Sequence, residues 1–210
     1  MIKAIIFDYD GVIVDSFGTV HEIYQEICRE VGAVCPDSLE DFKKIYGYSA
    51  KETYKNLGFS EKDIERARIM FAELILKKEP KLYEGVPEVL EKLSSKYILI
   101  LATNNLIEEV KQKFDKYKLT HYFKKIIGKN VGIPFQKSEA IINVLLDLGL
   151  GKEGVIYIGD RDIDADIADE AGIKNVILVE YGWGYHRERP HKIHVKEPSD
   201  IVSAVSGFNK

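Results

Sequence analysis

The sequence predicts an α/β protein with a doubly wound parallel sheet, a Rossmann-like core, and a small helical cap inserted after the first strand. Three observations support this prediction. A continuous apolar run opens the chain, helical patterns without such runs follow it, and short apolar runs alternate with helical patterns from Gly85 onward. This alternation is typical of parallel sheets that bind ligands at the carboxyl ends of their strands.

The first apolar run, from Ile2 to Phe7, ends abruptly at Asp8, as expected of a strand buried on both faces of a parallel sheet. Four later runs have the same character, and each ends near a polar residue or a glycine. They are Tyr97 to Ala102, Lys125 to Ile127, Val155 to Ile158 and Asn175 to Leu178. Polar side chains are therefore expected to gather at one edge of the sheet.

Helical patterns fill the segments between the later runs. They cover Pro87 to Leu93, Ile107 to Tyr117 and Ser138 to Leu148. Pro87 suits the first turn of its helix, because proline lacks the N–H that a first turn leaves unpaired. Strand and helix thus alternate as a doubly wound sheet requires.

The stretch after the first strand differs because it contains helical patterns alone. These cover Val20 to Val31, Leu39 to Tyr46 and Glu61 to Lys78. We expect residues 1–16 and 83–210 to form the α/β catalytic core and residues 17–82 to form the helical cap. Because the cap leaves and rejoins the core beside the end of the first strand, a lid is the natural hypothesis. The alternative is that these helices simply extend the core.

Composition limits the function classes. A formal charge of −4 and a pI near 5.8 argue against a nucleic-acid partner that is recognised through a basic surface. Cys28 and Cys35 lack CxxC spacing and are expected to be reduced thiols of a cytoplasmic protein. The N-terminus lacks a secretory signal pattern, and no apolar stretch is long enough for a membrane span.

Asp8 and Asp10 lie two residues apart at the end of the first strand, and Gly11 follows them. Glycine permits a tight turn whose backbone N–H groups can meet an anion, so this segment is a candidate phosphate site. A single strand-end aspartate is more often a turn or cap residue. Further candidates at the same sheet edge therefore decide the interpretation.

Three such candidates are neutral or cationic. Thr103 and Asn104 end the second apolar run, where a hydroxyl and nearby amides can hold a phosphoryl oxygen; the alternative is a helix cap. Lys137 lies directly before a predicted helix, where its ammonium can neutralise phosphate charge, although solvated lysines are common there.

Two further carboxylates are expected at this edge. Asp160 ends the run VIYIGD, and Asp164 follows as the next helix begins. Asp162 and Asp166 complicate the choice, because acidic residues in a first helical turn are stabilised by the helix dipole without any catalytic role. Asp164 is favoured over Asp166 as the second carboxylate of this segment.

Carboxylates crowded at one edge repel each other and a phosphate ester unless a hard divalent cation neutralises them. Mg²⁺ fits such oxygen ligands best. An aspartate can then attack phosphorus and form an aspartyl-phosphate, while a second aspartate protonates the leaving oxygen. Close carboxylates titrate as a coupled set, so one can hold a proton while the other stays ionised.

The ordered motifs FDYDGVIVDS, LATNN, Lys137 and IGDRDID resemble the four motifs of the haloacid dehalogenase superfamily. The resemblance implies that Asp8 is nucleophile and metal ligand, and that Asp10 is acid/base and binds the metal through its backbone carbonyl. Thr103 and Lys137 would bind phosphate, Asp160 would bind the metal directly, and Asp164 would support the metal site from behind.

The GVIVDS continuation and the early helical insert resemble the phosphoglycolate phosphatase and β-phosphoglucomutase branch of that superfamily. Two departures are Lys137-Ser138, where this branch often has Lys-Pro, and Gly159-Asp160-Arg161, where it often has GDT. The resemblance implies a Mg²⁺-dependent phosphatase acting on a small phosphorylated metabolite. A phosphomutase is the closest alternative; a receiver module and a non-catalytic phospho-ligand-binding protein are weaker ones.

Several other features remain open in the sequence. A histidine cluster near the C-terminus is more simply explained by solvated loop residues than by a metal site: His186, His191 and His194. Aromatic residues around two glycines either line a pocket or pack a loop: Tyr181, Trp183 and Tyr185. In the insert, His21 and Arg66 face either a substrate or solvent.

Overall fold

The structure of the protein is a computed structural model that describes residues 1–47, 49–184 and 193–209. The chain divides into two units, an α/β unit formed by Met1–Asp15 and Lys81–Lys210, and a helical unit formed by Ser16–Pro80. Each unit has its own buried residues.

Among the described residues, the strands are β1 (Ala4–Phe7), β2 (Val14–Asp15), β3 (Lys81–Leu82), β4 (Ile98–Leu106), β5 (Phe123–Lys129), β6 (Val155–Gly159), β7 (Asn175–Val179) and β8 (Ile193–Val195). Six of them form a wholly parallel sheet with the order β5-β4-β1-β6-β7-β8. β1 lies inside this sheet, between β4 and β6. The predicted α/β class and parallel sheet are confirmed.

The helices in the same part of the chain are α1 (Phe17–Val31), α2 (Leu39–Ile45), α3 (Ala50–Asn56), α4 (Glu61–Lys77), α5 (Val86–Ser94), α6 (Ile107–Lys116), α7 (Lys137–Asp147), α8 (Asp162–Glu170) and α9 (Asp200–Gly207). Short 3₁₀ turns precede β5 and β6, at Thr120–Tyr122 and Lys152–Gly154. No helix within the described ranges combines the length and apolar character that crossing a bilayer requires.

The core of the α/β unit lies on both faces of the sheet, because successive side chains of a strand point to opposite faces. On β1, Ile5 and Phe7 belong to one buried cluster, and Ala4 and Ile6 belong to the other. Helices α5, α6 and α9 contribute to the first cluster, whereas α7 and α8 contribute to the second. Helices therefore cover both faces, and the carboxyl edge of the sheet is left for polar residues.

The boundary between the units differs slightly from the expected one. Lys81 and Leu82, which were expected in the cap, form β3 and pair antiparallel with Asp15 and Val14 of β2. Ser16, which was expected in the core, belongs to the helical unit. The shift arises because the two chain connections pair with each other as a short ribbon.

The helical unit is organised around aromatic rings. Phe42 is fully buried and contacts the rings of Phe17, His21 and Tyr24. Tyr24 also contacts Tyr54, which joins α1 to α3. Ser38 and Ser60 cap α2 and α4, since each hydroxyl accepts a hydrogen bond from the backbone N–H three residues later. The ring contacts give α1, α2 and α3 a common aromatic interior.

Candidate active site

The carboxyl edge of the sheet brings together side chains from three adjacent strands and the helices that follow them. Asp8 follows β1, Asp160 follows β6, and Thr103 lies in β4. Lys137 is the first residue of α7, and Asp164 lies in the first turn of α8. All five side chains are buried, although each is polar or charged. Burial of this many polar groups requires mutual compensation.

Lys137 supplies part of that compensation. Its Nζ donates to Asp8 Oδ1 over 2.8 Å and lies 3.5 Å from Asp164 Oδ1. The Tyr9 backbone N–H also donates to Asp8 Oδ1, over 2.8 Å. These two donors hold the Asp8 carboxylate in one orientation at the end of β1.

Asp164 supports the site through its second oxygen as well. Asp164 Oδ2 accepts from the backbone N–H groups of Asp160 and Arg161, at 3.2 and 3.1 Å. The Tyr157 hydroxyl donates to Asp164 Oδ1 over 3.3 Å. Asp166, the alternative considered from the sequence, is exposed. The structure thus places Asp164 inside the cluster, with Oδ2 turned toward the backbone of Asp160 and Oδ1 toward Tyr157 and Lys137.

Asp160 is almost completely buried, with 1% of its surface exposed. Its Oδ2 accepts from the Gly184 backbone N–H over 2.7 Å. Within the described part of the chain its Oδ1 has no hydrogen-bond partner. Gly11 has a positive φ of 76°, and a Cβ there would lie 2.1 Å from Asp160 Oδ2. Glycine therefore allows the loop after β1 to lie directly against this carboxylate.

Burial disfavours charge on these carboxylates. It raises the pKa of Asp8 to about 7, although the Lys137 ammonium opposes the change. Burial likewise raises the pKa of Asp160 well above its usual value, and Asp164 adds repulsion. The pKa of Lys137 is raised, because the attraction of Asp8 and Asp164 outweighs the burial that would lower it. One ammonium does not neutralise three carboxylates.

This donor set fits a divalent cation. One oxygen each from Asp8, Asp160 and Asp164 lie within 4.8 Å of one another. Asp160 Oδ1, which no described residue partners, is an oxygen that such an ion would satisfy. Oxygen-only ligands of this charge suit Mg²⁺, which usually keeps several waters and takes only one or two carboxylates directly.

Asp10 and the last residues of β4 are less buried than the three carboxylates. Asp10 is half-buried and contributes no side-chain oxygen to the three-carboxylate group; its expected backbone-carbonyl ligand stays a prediction. Its Oδ2 accepts from the Asn105 side-chain amide over 2.7 Å. Asn104, expected to bind phosphate, has an exposed side chain, so that role would fall to its backbone N–H.

Sequence reasoning missed Asn105 and Gly184, the residues that hold Asp10 and Asp160. The signal for Asn105 was present in the repeated asparagine of LATNN, and the signal for Gly184 was its place between Trp183 and Tyr185. The helix-cap interpretation of Thr103 is wrong: its hydroxyl accepts from the Asn105 N–H at 3.1 Å, and the residue that caps α6 is Leu106.

A family model described as a haloacid dehalogenase-like hydrolase matches residues 5–178, most of the chain. The chain belongs to that family. The match covers the first strand through β7 and so includes all the proposed site residues. It confirms the resemblance drawn from the four sequence motifs.

Several relatives of this haloacid dehalogenase-like protein have phosphatase names. A phosphoglycolate phosphatase of Aquifex aeolicus is 26% identical and covers 97% of this chain and 96% of its own length. One of Rhodobacter capsulatus is 26% identical, with 99% of both chains covered. A solved haloacid dehalogenase-like hydrolase from Streptococcus pneumoniae superposes with a TM-score of 0.84 at 26% identity, covering 97% and 98% of the chains. The predicted enzyme class, a phosphatase-type hydrolase, is confirmed.

The other residues considered in this haloacid dehalogenase-like chain have structural contacts or lie elsewhere. His21 is buried, stacks on Phe42 and bonds the Pro36 carbonyl at 2.6 Å, so it is a core histidine. Arg66 is exposed and lies 3.7 Å from Glu30. His194 lies in β8. Tyr185, His186 and His191 lie outside the described ranges.

The aromatic segment that follows β7, with Tyr181 and Trp183, packs against the site. The Tyr181 hydroxyl donates to the Val12 carbonyl over 3.0 Å, and its ring lies against Tyr83. The Arg161 guanidinium lies 5.3 Å from the centre of the Trp183 ring. This segment therefore packs as a loop beside Asp160, which is the second of the two interpretations considered above.

Proposed function

We propose that this protein is a Mg²⁺-dependent phosphomonoesterase that acts on a small phosphorylated metabolite through an aspartyl-phosphate on Asp8. The observation that carries the proposal is the buried contact between Asp8 and Lys137 beside Asp160, whose Oδ1 has no partner among the described residues. A nucleophilic carboxylate, a fixed cation and a spare metal ligand are the groups that phosphoryl transfer requires.

In the first step, an Asp8 oxygen forms a bond to phosphorus while the bond between phosphorus and the ester oxygen breaks. The electron pair of the broken bond stays on the leaving oxygen, which takes a proton from Asp10. Lys137 and Thr103 hold the phosphoryl oxygens in place. The attraction between the Lys137 ammonium and the phosphoryl group strengthens as negative charge develops on the departing and equatorial oxygens.

In the second step, a water molecule attacks the phosphorus of the aspartyl-phosphate. Asp10, now ionised, takes the proton from that water, and the bond from phosphorus to the Asp8 oxygen breaks. Inorganic phosphate and the original Asp8 carboxylate result. Asp8, Asp160 and the Asp10 carbonyl would hold Mg²⁺, with Asp164 behind them. The ion supplies charge that lets an anionic nucleophile approach an anionic ester.

The substrate class is proposed from the relatives. Two relatives that match nearly the full chain are named phosphoglycolate phosphatases, and a third, from Thermotoga maritima, is named a phosphorylated carbohydrates phosphatase. We therefore place small phosphorylated acids first and sugar phosphates second. These relatives favour hydrolysis over transfer to a second sugar phosphate, the reaction of a mutase.

The proposal is tested by phosphate release from 2-phosphoglycolate, a panel of sugar phosphates and p-nitrophenyl phosphate, with MgCl₂ or with EDTA. We expect turnover that requires Mg²⁺ and is lost in Asp8→Asn, since an amide is a poor nucleophile. Asp147→Asn, on an exposed position of α7, serves as the matched control. Wild-type activity in Asp8→Asn, or turnover that EDTA leaves unchanged, would contradict the mechanism.

A further inference from the structure

We infer that Asn105 is the positioning residue for Asp10, and that its side-chain amide fixes the carboxyl orientation from which a proton reaches the leaving oxygen. The inference rests on the proposed function and concerns a residue outside the roles assigned above. Its basis is a direct hydrogen bond between two residues that lie 95 positions apart in the chain.

The contact is short and directional. Asn105 Nδ2 donates to Asp10 Oδ2 over 2.7 Å, and both residues are half-buried. A carboxyl group attached to a short side chain rotates freely about its last torsion unless a partner holds one oxygen. With Oδ2 held by the Asn105 N–H donor, the Asp10 carboxyl keeps one orientation. An amide is neutral, so it orients Asp10 without adding a cation beside it.

An irregularity in the backbone of β4 directs the Asn105 side chain toward Asp10. The pairing register between β4 and β5 shifts between Ala102 and Leu106, which leaves residues 103–105 out of the regular ladder. Irregularities of this kind re-aim side chains next to active sites. The Thr103 hydroxyl accepts a hydrogen bond from the Asn105 N–H over 3.1 Å. This bond stabilises the irregular backbone of residues 103–105.

The neighbouring strand makes room for this backbone. A Cβ on Gly128 of β5 would lie 2.9 Å from the Asn105 carbonyl oxygen and 3.1 Å from Thr103 Cγ2. A side chain at position 128 would therefore displace the segment that carries Asn105. Glycine at this position, the irregular register and the Asn105 to Asp10 hydrogen bond are three separate features that produce one geometry.

The consequence for catalysis depends on the leaving group. A poor leaving group, such as an alkoxide, needs the Asp10 proton as its bond to phosphorus breaks, whereas a nitrophenolate leaves with little help. The ratio kcat/KM reports the steps up to departure of the alcohol, before water attacks. Loss of the Asn105 amide should therefore lower kcat/KM for alkyl phosphates and leave aryl phosphates nearly unaffected.

The test compares Asn105→Ala and Asn105→Asp with the wild type on 2,4-dinitrophenyl phosphate and on the best alkyl phosphate of the panel. We expect kcat/KM for the alkyl substrate to fall about 10-fold to 100-fold, a part of the about 10²–10⁴ that a positioned acid contributes. Asn105→Asp keeps the shape of the side chain but replaces the donor by a carboxylate that repels Asp10, so it should lose at least as much as Asn105→Ala. Asn143→Ala, an exposed asparagine on α7, is the matched control.

Each outcome separates the alternatives. Equal losses on both substrates, or no loss on either, would overturn the positioning role. If Asn105→Ala is too unstable to assay, the isosteric Asn105→Asp carries the comparison, with Gly128→Ala as an independent way to displace the same backbone. A wild type that hydrolyses neither substrate would instead overturn the proposed function itself, and this inference would fall with it.

Discussion

Lys137 is the cation on which the buried carboxylates depend. It contacts both Asp8 and Asp164, and only 3% of its side chain is exposed. Replacing it by methionine keeps the volume but leaves buried negative charge without its partner. We expect Lys137→Met to lower the free energy of unfolding by about 3–5 kcal/mol near neutral pH, and to lower kcat/KM by about 10²–10³-fold.

Urea unfolding and steady-state kinetics measure the two effects of Lys137→Met. Lys92→Met is the matched control, because Lys92 is exposed on α5. It should leave both quantities unchanged. If Lys137→Met folded with wild-type stability and lost only activity, Lys137 would be a substrate ligand that the folded protein does not need.

Asp164 and Asp166 are two positions apart, and one of them is expected to support the metal. Asp164 accepts hydrogen bonds from the backbone of Asp160 and Arg161, whereas Asp166 is exposed. We expect Asp164→Asn to weaken Mg²⁺ affinity about 10-fold to 100-fold, the usual cost of losing a residue that orients a ligand. Asp166→Asn should bind Mg²⁺ as the wild type does.

Fluorescence of the single tryptophan provides the Mg²⁺ titration for this pair of variants. Trp183 directly precedes Gly184, whose N–H donates to Asp160, and its ring faces Arg161. An ion bound by Asp160 should alter this environment. Equal affinity in the two variants would count against the role proposed for Asp164.

How well individual site residues could be predicted depended on whether each lay at a regular strand end. Asp8 and Asp160 follow unbroken apolar runs, so their place at the carboxyl edge follows from where the predicted strands end. Asn105 lies in an irregular part of β4, which spacing does not reveal, and sequence reasoning chose Asn104 instead. Gly184 donates through its backbone, and a backbone donor has no signature in side-chain chemistry.

For the secondary structure too, regular elements could be predicted from the sequence and short or irregular ones could not. Predicted strands and helices with long apolar patterns are present with bounds that differ by a few residues, as in α6 at Ile107–Lys116. The three-residue β8 and the seven-residue α3 were not predicted, and neither was α9. β8 is too short to display a period and takes its conformation from the sheet edge it joins. The sequence of α3, AKETYKN, has Tyr54 as its one large apolar side chain and so shows no apolar repeat.

The helical unit depends on the fully buried ring of Phe42 in α2. Removing it leaves a cavity among Phe17, His21 and Tyr24. We expect Phe42→Ala to destabilise this unit by about 3–5 kcal/mol. Hydrogen–deuterium exchange should show lost protection confined to residues 16–80. Leu39→Ala, at a half-exposed position of the same helix, is the control and should change little.

The pattern of exchange also tests whether the two units are separately cooperative. Loss of protection throughout Phe42→Ala, including β1 and β6, would show that both units unfold together. Loss confined to residues 16–80 would support the division of the chain at Ser16 and Pro80.

The path of the chain supports a proposal for what the helical unit does. Both of its connections run through β2 and β3, and the same ribbon bonds to the loop that carries Asp10: Gly11 N–H donates to the Val14 carbonyl, and Tyr83 N–H donates to the Ile13 carbonyl. We propose that residues 16–80 set substrate preference. A hybrid carrying the corresponding segment of the Thermotoga maritima relative should change the order of preferred substrates and keep its Mg²⁺ requirement. An unchanged order would reject the proposal.

Mg²⁺ and pH should act together on the stability of the entire protein. Burial raises the pKa of Asp8 to about 7, from an ordinary value of 3.8, and raises that of Asp160 in the same direction. A raised pKa means that the folded state holds the proton more tightly than the unfolded state. Its stabilising contribution is therefore complete below pH 3.8 and is lost as the pH rises through about 7.

A cation reverses this loss, because it binds the ionised carboxylates and competes with protons. Saturating Mg²⁺, at about 100 times its Kd, should contribute about 2.7 kcal/mol at about pH 8, or about 5–10 °C in Tm for a chain of this size. The gain should shrink toward about pH 5, where the carboxylates hold protons. Thermal melts with MgCl₂, or with NaCl at equal ionic strength, measure it in the wild type and in Asp160→Asn. A gain that is independent of pH, or that persists in Asp160→Asn, would place the ion elsewhere on the protein.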